Sequence, residues 1–167
     1  ATQSLSSLGG TMKAGQNLTL FSQARYFKSD YEETSVLLGT AYRPVGTDAW
    51  NHLTKLRWVG KNADTDENKY ILSHHENFQP WRRLNLMGQV AGKIVQASDA
   101  DSFTYLARGR ILYDLTERID VGFQAGILHQ TDTGTRQVSW GPEIGYMVFT
   151  NFWASVGYNF SGFYDED

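Results

Sequence analysis

The chain has 167 residues, with 15 Lys and Arg against 18 Asp and Glu and a formal charge of −3, a balance that excludes a basic nucleic-acid binder. Aromatic residues make up 14% of it, too many for a disordered chain, which cannot bury enough apolar surface to offset its ordering entropy. Cysteine is absent, which excludes disulfides, thiolate metal sites and a cysteine nucleophile. No stretch approaches the roughly 20 apolar residues of a spanning helix, and no signal peptide is read. A membrane β-barrel has a similarly mild composition and stays open.

Turn chemistry gathers at Gly9-Gly10, at Pro44-Val45-Gly46-Thr47-Asp48, at Gln79-Pro80-Trp81-Arg82, at Asp114-Leu115-Thr116-Glu117-Arg118 and at Thr150-Asn151, roughly 35 residues apart. Polar breaks fall between them at 28–30, 62–68, 98–102 and 130–135. Each interval reads as a strand, a polar loop and a returning strand. The first expected strand carries Leu18, Leu20, Ala24 and Tyr26 opposite Thr19, Gln23 and Arg25. Next, Val36, Leu38, Thr40 and Tyr42 oppose Leu37, Gly39, Ala41 and Arg43, and then Lys55 and Arg57 share a face opposite Thr54, Leu56 and Trp58. The segment 69–79 is the weak member, because His74, His75 and Glu76 interrupt alternation, and it is kept because the spacing demands a strand.

From there the alternation sharpens. Leu84, Leu86, Gly88, Val90, Gly92 and Ile94 oppose Asn85, Met87, Gln89, Ala91 and Lys93. Phe103, Tyr105, Ala107, Gly109, Ile111 and Tyr113 share one face of the next strand, with Arg108 and Arg110 on the other. Ile119, Val121, Phe123, Ala125 and Ile127 follow, then Val138, Trp140, Pro142, Ile144, Tyr146 and Val148, then Phe152, Ala154, Val156, Tyr158 and Phe160. In the last four strands the first face carries no charge, while Arg108, Arg110, Asp120 and Glu143 sit on the second. Segregation with a period of two means strands with one wholly apolar face.

An apolar face can line a soluble core or touch lipid. Three features favour lipid: strands of about 10–13 residues, beyond the usual soluble length; a polar face of Gly, Ser, Asn, Gln and mixed charges that suits a hydrated interior; and aromatics near both strand ends. Tyr42, Trp50, Trp81, Tyr113, Phe149 and Phe152 lie by the tight turns, and Trp58, Phe103, Trp140, Phe160 and Tyr164 lie towards the other end. Two such belts are what amphipathic rings form at two bilayer interfaces. The expected fold is therefore all-β: an antiparallel up-and-down meander forming a transmembrane β-barrel, with about nine strands visible.

Two segments carry a resemblance. The run Leu38-Gly39-Thr40-Ala41-Tyr42-Arg43-Pro44-Val45, with Trp50-Asn51-His52-Leu53-Thr54-Lys55-Leu56 after it, resembles a strand–turn–strand signature of bacterial outer-membrane barrels. The ending from Asn151 through Phe152-Trp153-Ala154-Ser155-Val156-Gly157-Tyr158-Asn159-Phe160 to Asp167 is similar to the penultimate strand of the C-terminal barrel module in large, repeat-containing surface proteins of Gram-negative bacteria. The resemblance implies that one closing strand is missing. It also implies that residues 1–167 are a single outer-membrane β-barrel domain, a fragment of a longer chain. The partners it implies are outer-membrane lipid and lipopolysaccharide, and other parts of the same polypeptide or its missing strands.

Chemistry-bearing motifs are sparse. Neighbouring strand residues point to opposite faces, so His74 and His75 would not converge on a metal. Asp64-Thr65-Asp66-Glu67-Asn68 opens like a calcium loop, but Lys69 stands where the loop needs Gly and His75 where it needs Glu. Asp99, Asp101 and the loop acids read as a solvated loop, with loose binding of divalent ions at a lipopolysaccharide surface as the alternative. His129 near Asp132, and His52 or His75 near serines, give no catalytic spacing rule. Gly60-Lys61 has no phosphate-loop context. Neither an enzyme nor a cofactor is expected.

The inward charges are more informative. Lys55, Arg57, Lys93, Arg108 and Arg110 are expected on the polar face, with Asp120 and Glu143 as available partners. In a narrow barrel they would form a paired network, and in a wider one a cationic wall that selects anions. Tyr42, Trp50, Trp81, Tyr113, Trp140, Phe152 and Tyr164 are the expected lipid-interface aromatics. The leading expectation is a non-enzymatic barrel in the bacterial outer membrane that anchors or displays a larger surface protein. The alternatives are a porin-like channel or exporter for anionic solutes, and a soluble lipocalin-like barrel binding an apolar ligand, with Phe123 and Tyr158 turned inward.

Overall fold

Runs of alternating residues broken by short polar turns can only pair with the run before and the run after, and the chain does this throughout. The computed structural model describes residues 3–47, 49–63, 66–98 and 100–164, without the side chains of residues 163 and 164. Asp64, Thr65 and Asp99 of the acidic loops, Asp48 of one turn, residues 165–167 and the Tyr164 side chain lie outside them. The strands are β1 (Ser4–Ala14), β2 (Leu18–Lys28), β3 (Glu32–Tyr42), β4 (Trp50–Asn62), β5 (Glu67–Trp81), β6 (Leu84–Ala97), β7 (Asp101–Asp114), β8 (Ile119–Gln130), β9 (Arg136–Phe149), β10 (Phe152–Gly157) and β11 (Phe160–Tyr164). All pair antiparallel in chain order from β1 to β10, with β11 also on β9. Among the described residues β1 pairs only with β2, and β10 and β11 only with β9, so the sheet is open.

The expected count of nine strands becomes eleven for two physical reasons. Gly9-Gly10 is not a turn: both lie inside β1, opposite Gln23 and Ser22. The β1–β2 turn sits at residues 15–17, where Gly15 takes φ 86°, a left-handed conformation that costs glycine little. The second reason is Pro142. The Tyr158 N–H donates to the Pro142 carbonyl at 3.1 Å, but proline has no N–H to return. The ladder lapses at residues 158–159 and resumes with Phe160 opposite Trp140. Val156 opposite Ile144 keeps the same register, so β10 and β11 run on along one edge of β9.

The weakest strand by pattern, β5, is the longest at 15 residues. It is central, paired by β4 on one side and β6 on the other, so its backbone bonds hold whatever its side chains are. The bends also shift: Gln79 and Pro80 stay within β5, whose register slips between Phe78 and Trp81, and the β5–β6 turn is Arg82-Arg83.

Residues directly opposite across an antiparallel pair share a face, so register extends each face across the sheet. Phe123 lines up with Ile111 and Pro142, and Ile111 with Leu86. This face is exposed: Leu72, Val90 and Ile144 each keep 53% of their accessible area. Among the described residues no apolar side chain is buried as a core. The other face curls around a cavity of about 550 Å³ that touches residues from Ala41 on β3 to Gln124 on β8. Along β7 the apolar-face residues Phe103, Tyr105, Ile111 and Tyr113 are exposed while Thr104, Leu106, Arg110 and Leu112 on the other face are half-buried, so the apolar face is convex and the mixed polar face concave. That arrangement opposes the soluble, ligand-filled barrel, since Phe123 and Tyr158, expected inward there, are exposed on the convex side.

Candidate functional site

The concave face is where chemistry collects. Lys55, Arg57, Lys93, Arg108, Arg110, Asp120 and Glu143 all share it by register: Lys55 opposes Gly39 and Ser73, Arg57 opposes Ile71, and Ile71 opposes Lys93. Arg108 lies between Gln89 and Gly126. Of the seven, the structure joins two. The Arg110 guanidinium donates twice to the Glu143 carboxylate, Nε to Oε1 at 2.5 Å and Nη2 to Oε2 at 2.8 Å. Arg110 is on β7 and Glu143 on β9, so the pair reaches across β8. Gly122 makes room, because a Cβ there would collide with the Glu143 carboxylate. Met87, opposite Arg110, lies along the same guanidinium.

Asp120 is placed differently. Its carboxylate lies over Gly145, with Oδ1 at 2.5 Å from where a Cβ would stand, and Asp114 is its direct cross-strand neighbour. Among the described residues Lys55, Arg57, Lys93 and Arg108 have no ion-pair partner. The concave face thus holds one neutralised pair inside a larger excess of cations, rather than a closed network.

The Arg110–Glu143 pair is partly hydrated, with side chains 37% and 18% exposed, so its contribution is modest. Glu143→Gln keeps the shape but loses the charge-assisted fork. We expect a loss of about 1 kcal/mol in urea unfolding followed by tryptophan fluorescence. An unchanged midpoint would mean that the pair is not formed in the folded barrel.

The cavity wall also includes groups that pattern reading did not single out. Asn51, Asn77, Gln89 and Gln124 line it together with Arg43, His75, Arg108 and Arg110. Their signal in the sequence was only parity: each falls on the polar side of its strand. The convex face holds a second unanticipated cluster. Trp50 Nε1 donates to Glu76 at 2.7 Å, Thr54 Oγ1 meets His74 Nδ1 at 2.8 Å, and the Tyr42 ring stacks on His52 at 5.3 Å. His74 lies on this side and His75 on the concave one, opposite Thr54 and Leu53 respectively. The segment that spoiled the alternation of β5 is therefore the outward end of a hydrogen-bonded group. Among the described residues no cluster could hold a metal ion.

The expected interface aromatics fall as follows. Tyr42 and Trp50 pack at 5.4 Å at the tight-turn ends of β3 and β4, and Phe152 stacks on Phe149 at 4.8 Å across the β9–β10 turn. Tyr113 opposes Leu84 at the same end, with Trp81 exposed beside it. Trp140, towards the loop end of β9, stacks on Phe160 at 4.3 Å. The Tyr164 side chain lies outside the described residues.

No protein-family model and no curated relative matches the chain. Solved structures do. OmpT, an outer membrane protein of Vibrio cholerae, superposes with a TM-score of 0.61 at 12% identity, over 97% of this chain and 56% of that one. The siderophore receptor PirA from Pseudomonas aeruginosa gives 0.57 at 10% identity, over 96% of this chain and 33% of that one. OccAB2 of Acinetobacter baumannii gives 0.56 at 13% identity, over 96% and 49%. At such identities the likeness is one of fold: the meander is that of outer-membrane β-barrels, which share their architecture more widely than their function. The longest strands, β1 to β9, have 11 to 15 residues each, enough to cross a bilayer when tilted.

Proposed function

We propose that the chain forms the wall of a non-enzymatic channel in the bacterial outer membrane, with a lumen that favours anions. The observation that supports this reading is the cavity on the concave face, into which Arg108 and Arg110 project beside four neutral amides. Of the three arginines on its wall, Arg43 among them, Arg110 is paired with Glu143, and Arg108 has no ion-pair partner among the described residues. An uncompensated cation in a hydrated passage raises the local anion concentration and lowers the barrier to anion passage. In this reading residues 1–167 act as one barrel domain, the convex apolar face meets lipid, and the loops meet lipopolysaccharide.

The test is the reversal potential of the full chain in planar bilayers under a potassium chloride gradient. We expect chloride over potassium selectivity; potassium selectivity or no conductance would remove the channel reading. The anchoring and display of a larger surface protein, joined through other parts of the same polypeptide, is the second reading. It is favoured by the likeness of residues 151–167 to surface-protein barrel modules. A barrel that inserts into lipid but carries no current would support it.

A further inference from the structure

Glu76 places a carboxylate on the apolar convex face, with no lysine or arginine to meet it. Cross-strand register sets it in one row with Tyr42, His52 and Gly88. Of the lysines and arginines on the described strands, only Lys28 and Arg136 share that face. Both stand at the loop ends, and Lys28 is held by Glu32. A charge on a lipid-facing surface is costly unless a partner answers it. We propose that this face binds an aminophospholipid, whose primary ammonium is taken by Glu76 near the tight-turn end. The inference goes beyond the channel and rests only on the placement of the convex face in lipid.

The Glu76 side chain turns towards the tight-turn belt, where its Oε1 accepts from Trp50 Nε1 at 2.7 Å. Its Oε2 lies 3.7 Å from His74 Nε2, beyond hydrogen-bond length, and His74 Nδ1 is engaged by the Thr54 hydroxyl. A carboxylate accepts about four hydrogen bonds, and the Glu76 side chain is 44% exposed. Most of its capacity therefore faces outward. The rings of Tyr42, Trp50 and His52 stand beside it with centroids 5.3 to 5.7 Å apart, and Trp and Tyr faces attract an ammonium. From Glu76 the row continues through Gly88, Gly109 and Ala125 to Trp140. These small residues leave a groove of about 830 Å³, walled by His74 and Glu76 at one end and Trp140 at the other. The row passes from the tight-turn half of β5 to the loop half of β9, the course an acyl chain takes from its headgroup into hydrocarbon. A second copy would fit the small-residue floor but offers Glu76 no lysine or arginine at this level. An anionic lipid would be repelled.

Native mass spectrometry of the full chain, released from nanodiscs of equal phosphatidylethanolamine, phosphatidylcholine and phosphatidylglycerol, reads the occupant directly. Phosphatidylethanolamine should be retained about tenfold over phosphatidylglycerol, the worth of one charged hydrogen bond. Phosphatidylcholine should fall between them, because its headgroup keeps the charge without an N–H. Glu76→Gln keeps an acceptor for Trp50 and should erase the preference. Gly109→Leu should fill the groove and lower retention of all three lipids alike, since an added Cβ there meets nothing nearer than the Met87 carbonyl oxygen at 4.0 Å. Equal retention of phosphatidylethanolamine and either other lipid, or a preference that survives Glu76→Gln, would overturn the proposal. A dimer that Gly109→Leu splits would put a second copy in the groove and overturn it too. Gly109→Cys separates the site from the placement it rests on. Labelling by a charged maleimide in vesicles would take the face out of lipid and remove both, whereas shielding with equal lipid retention would remove the headgroup site alone.

Discussion

Gly141→Ala will strongly destabilise the folded barrel and lower its urea midpoint. A Cβ at residue 141 would sit far inside van der Waals contact with the Tyr158 carbonyl oxygen and 2.9 Å from its carbon. Those atoms are backbone, so no rotamer change relieves the overlap. The chain crosses here without a returned hydrogen bond, because Pro142 has no N–H to donate, and the carbonyl of Tyr158 leans across the space that glycine leaves. Relief requires the last strand to peel from β9, breaking the register that seats Phe160 against Trp140. We expect a loss of about 3 kcal/mol or more, at the upper end of overpacking effects, against a total of roughly 5–15 kcal/mol. Gly88→Ala is the matched control, since nothing lies within 4 Å of its added methyl. Urea unfolding followed by tryptophan fluorescence reads both, and equal midpoints for the two variants would contradict this geometry.

Arg108→Glu will invert the ion preference of the channel. The substitution changes the wall by two charge units at a position that has no ion-pair partner among the described residues. At about 10 Å through water, two unit charges act on a passing ion with about 0.8 kcal/mol, or about fourfold for each ion sign. Chloride permeability should fall and potassium permeability should rise by that factor, moving the reversal potential through zero. The shift should shrink at high salt, where screening shortens the reach of the charge. Arg110→Glu should be less informative, because it would also place a second carboxylate beside Glu143 and disturb the fold. An unchanged reversal potential in Arg108→Glu would take Arg108 out of the permeation path.

What could be read in the sequence, and what could not, follows from the range of the interactions involved. The faces of β6 to β10 were legible because each strand states its own alternation, and the pattern of residues 119–128 needs no partner to be seen. Ser4–Ala14 was not legible: its middle is Gly9-Gly10, and its remaining residues are mostly small and polar, so no local signal distinguished a strand from a turn. The β10–β11 break was hidden in Pro142, whose missing N–H matters only once Tyr158 is its neighbour. The Arg110–Glu143 pair joins residues 33 apart across an intervening strand, and it depends on Gly122 having no side chain. Parity placed both residues on one face. Nothing local could have paired them, or left Arg108 without a partner.

The central claim is that the apolar face meets lipid and the mixed face meets water. Because the natural chain has no cysteine, single cysteines from 120 to 127 can be introduced one at a time into the full protein in lipid vesicles. Each is then scored for reaction with a charged, water-soluble maleimide and, as a fluorescent adduct, for quenching by brominated lipid. The expected result is strict alternation: positions 120, 122, 124 and 126 react from water, while 121, 123, 125 and 127 are shielded from it and quenched by lipid. Reaction at Phe123→Cys with silence at Gln124→Cys, or no alternation along β8, would contradict it.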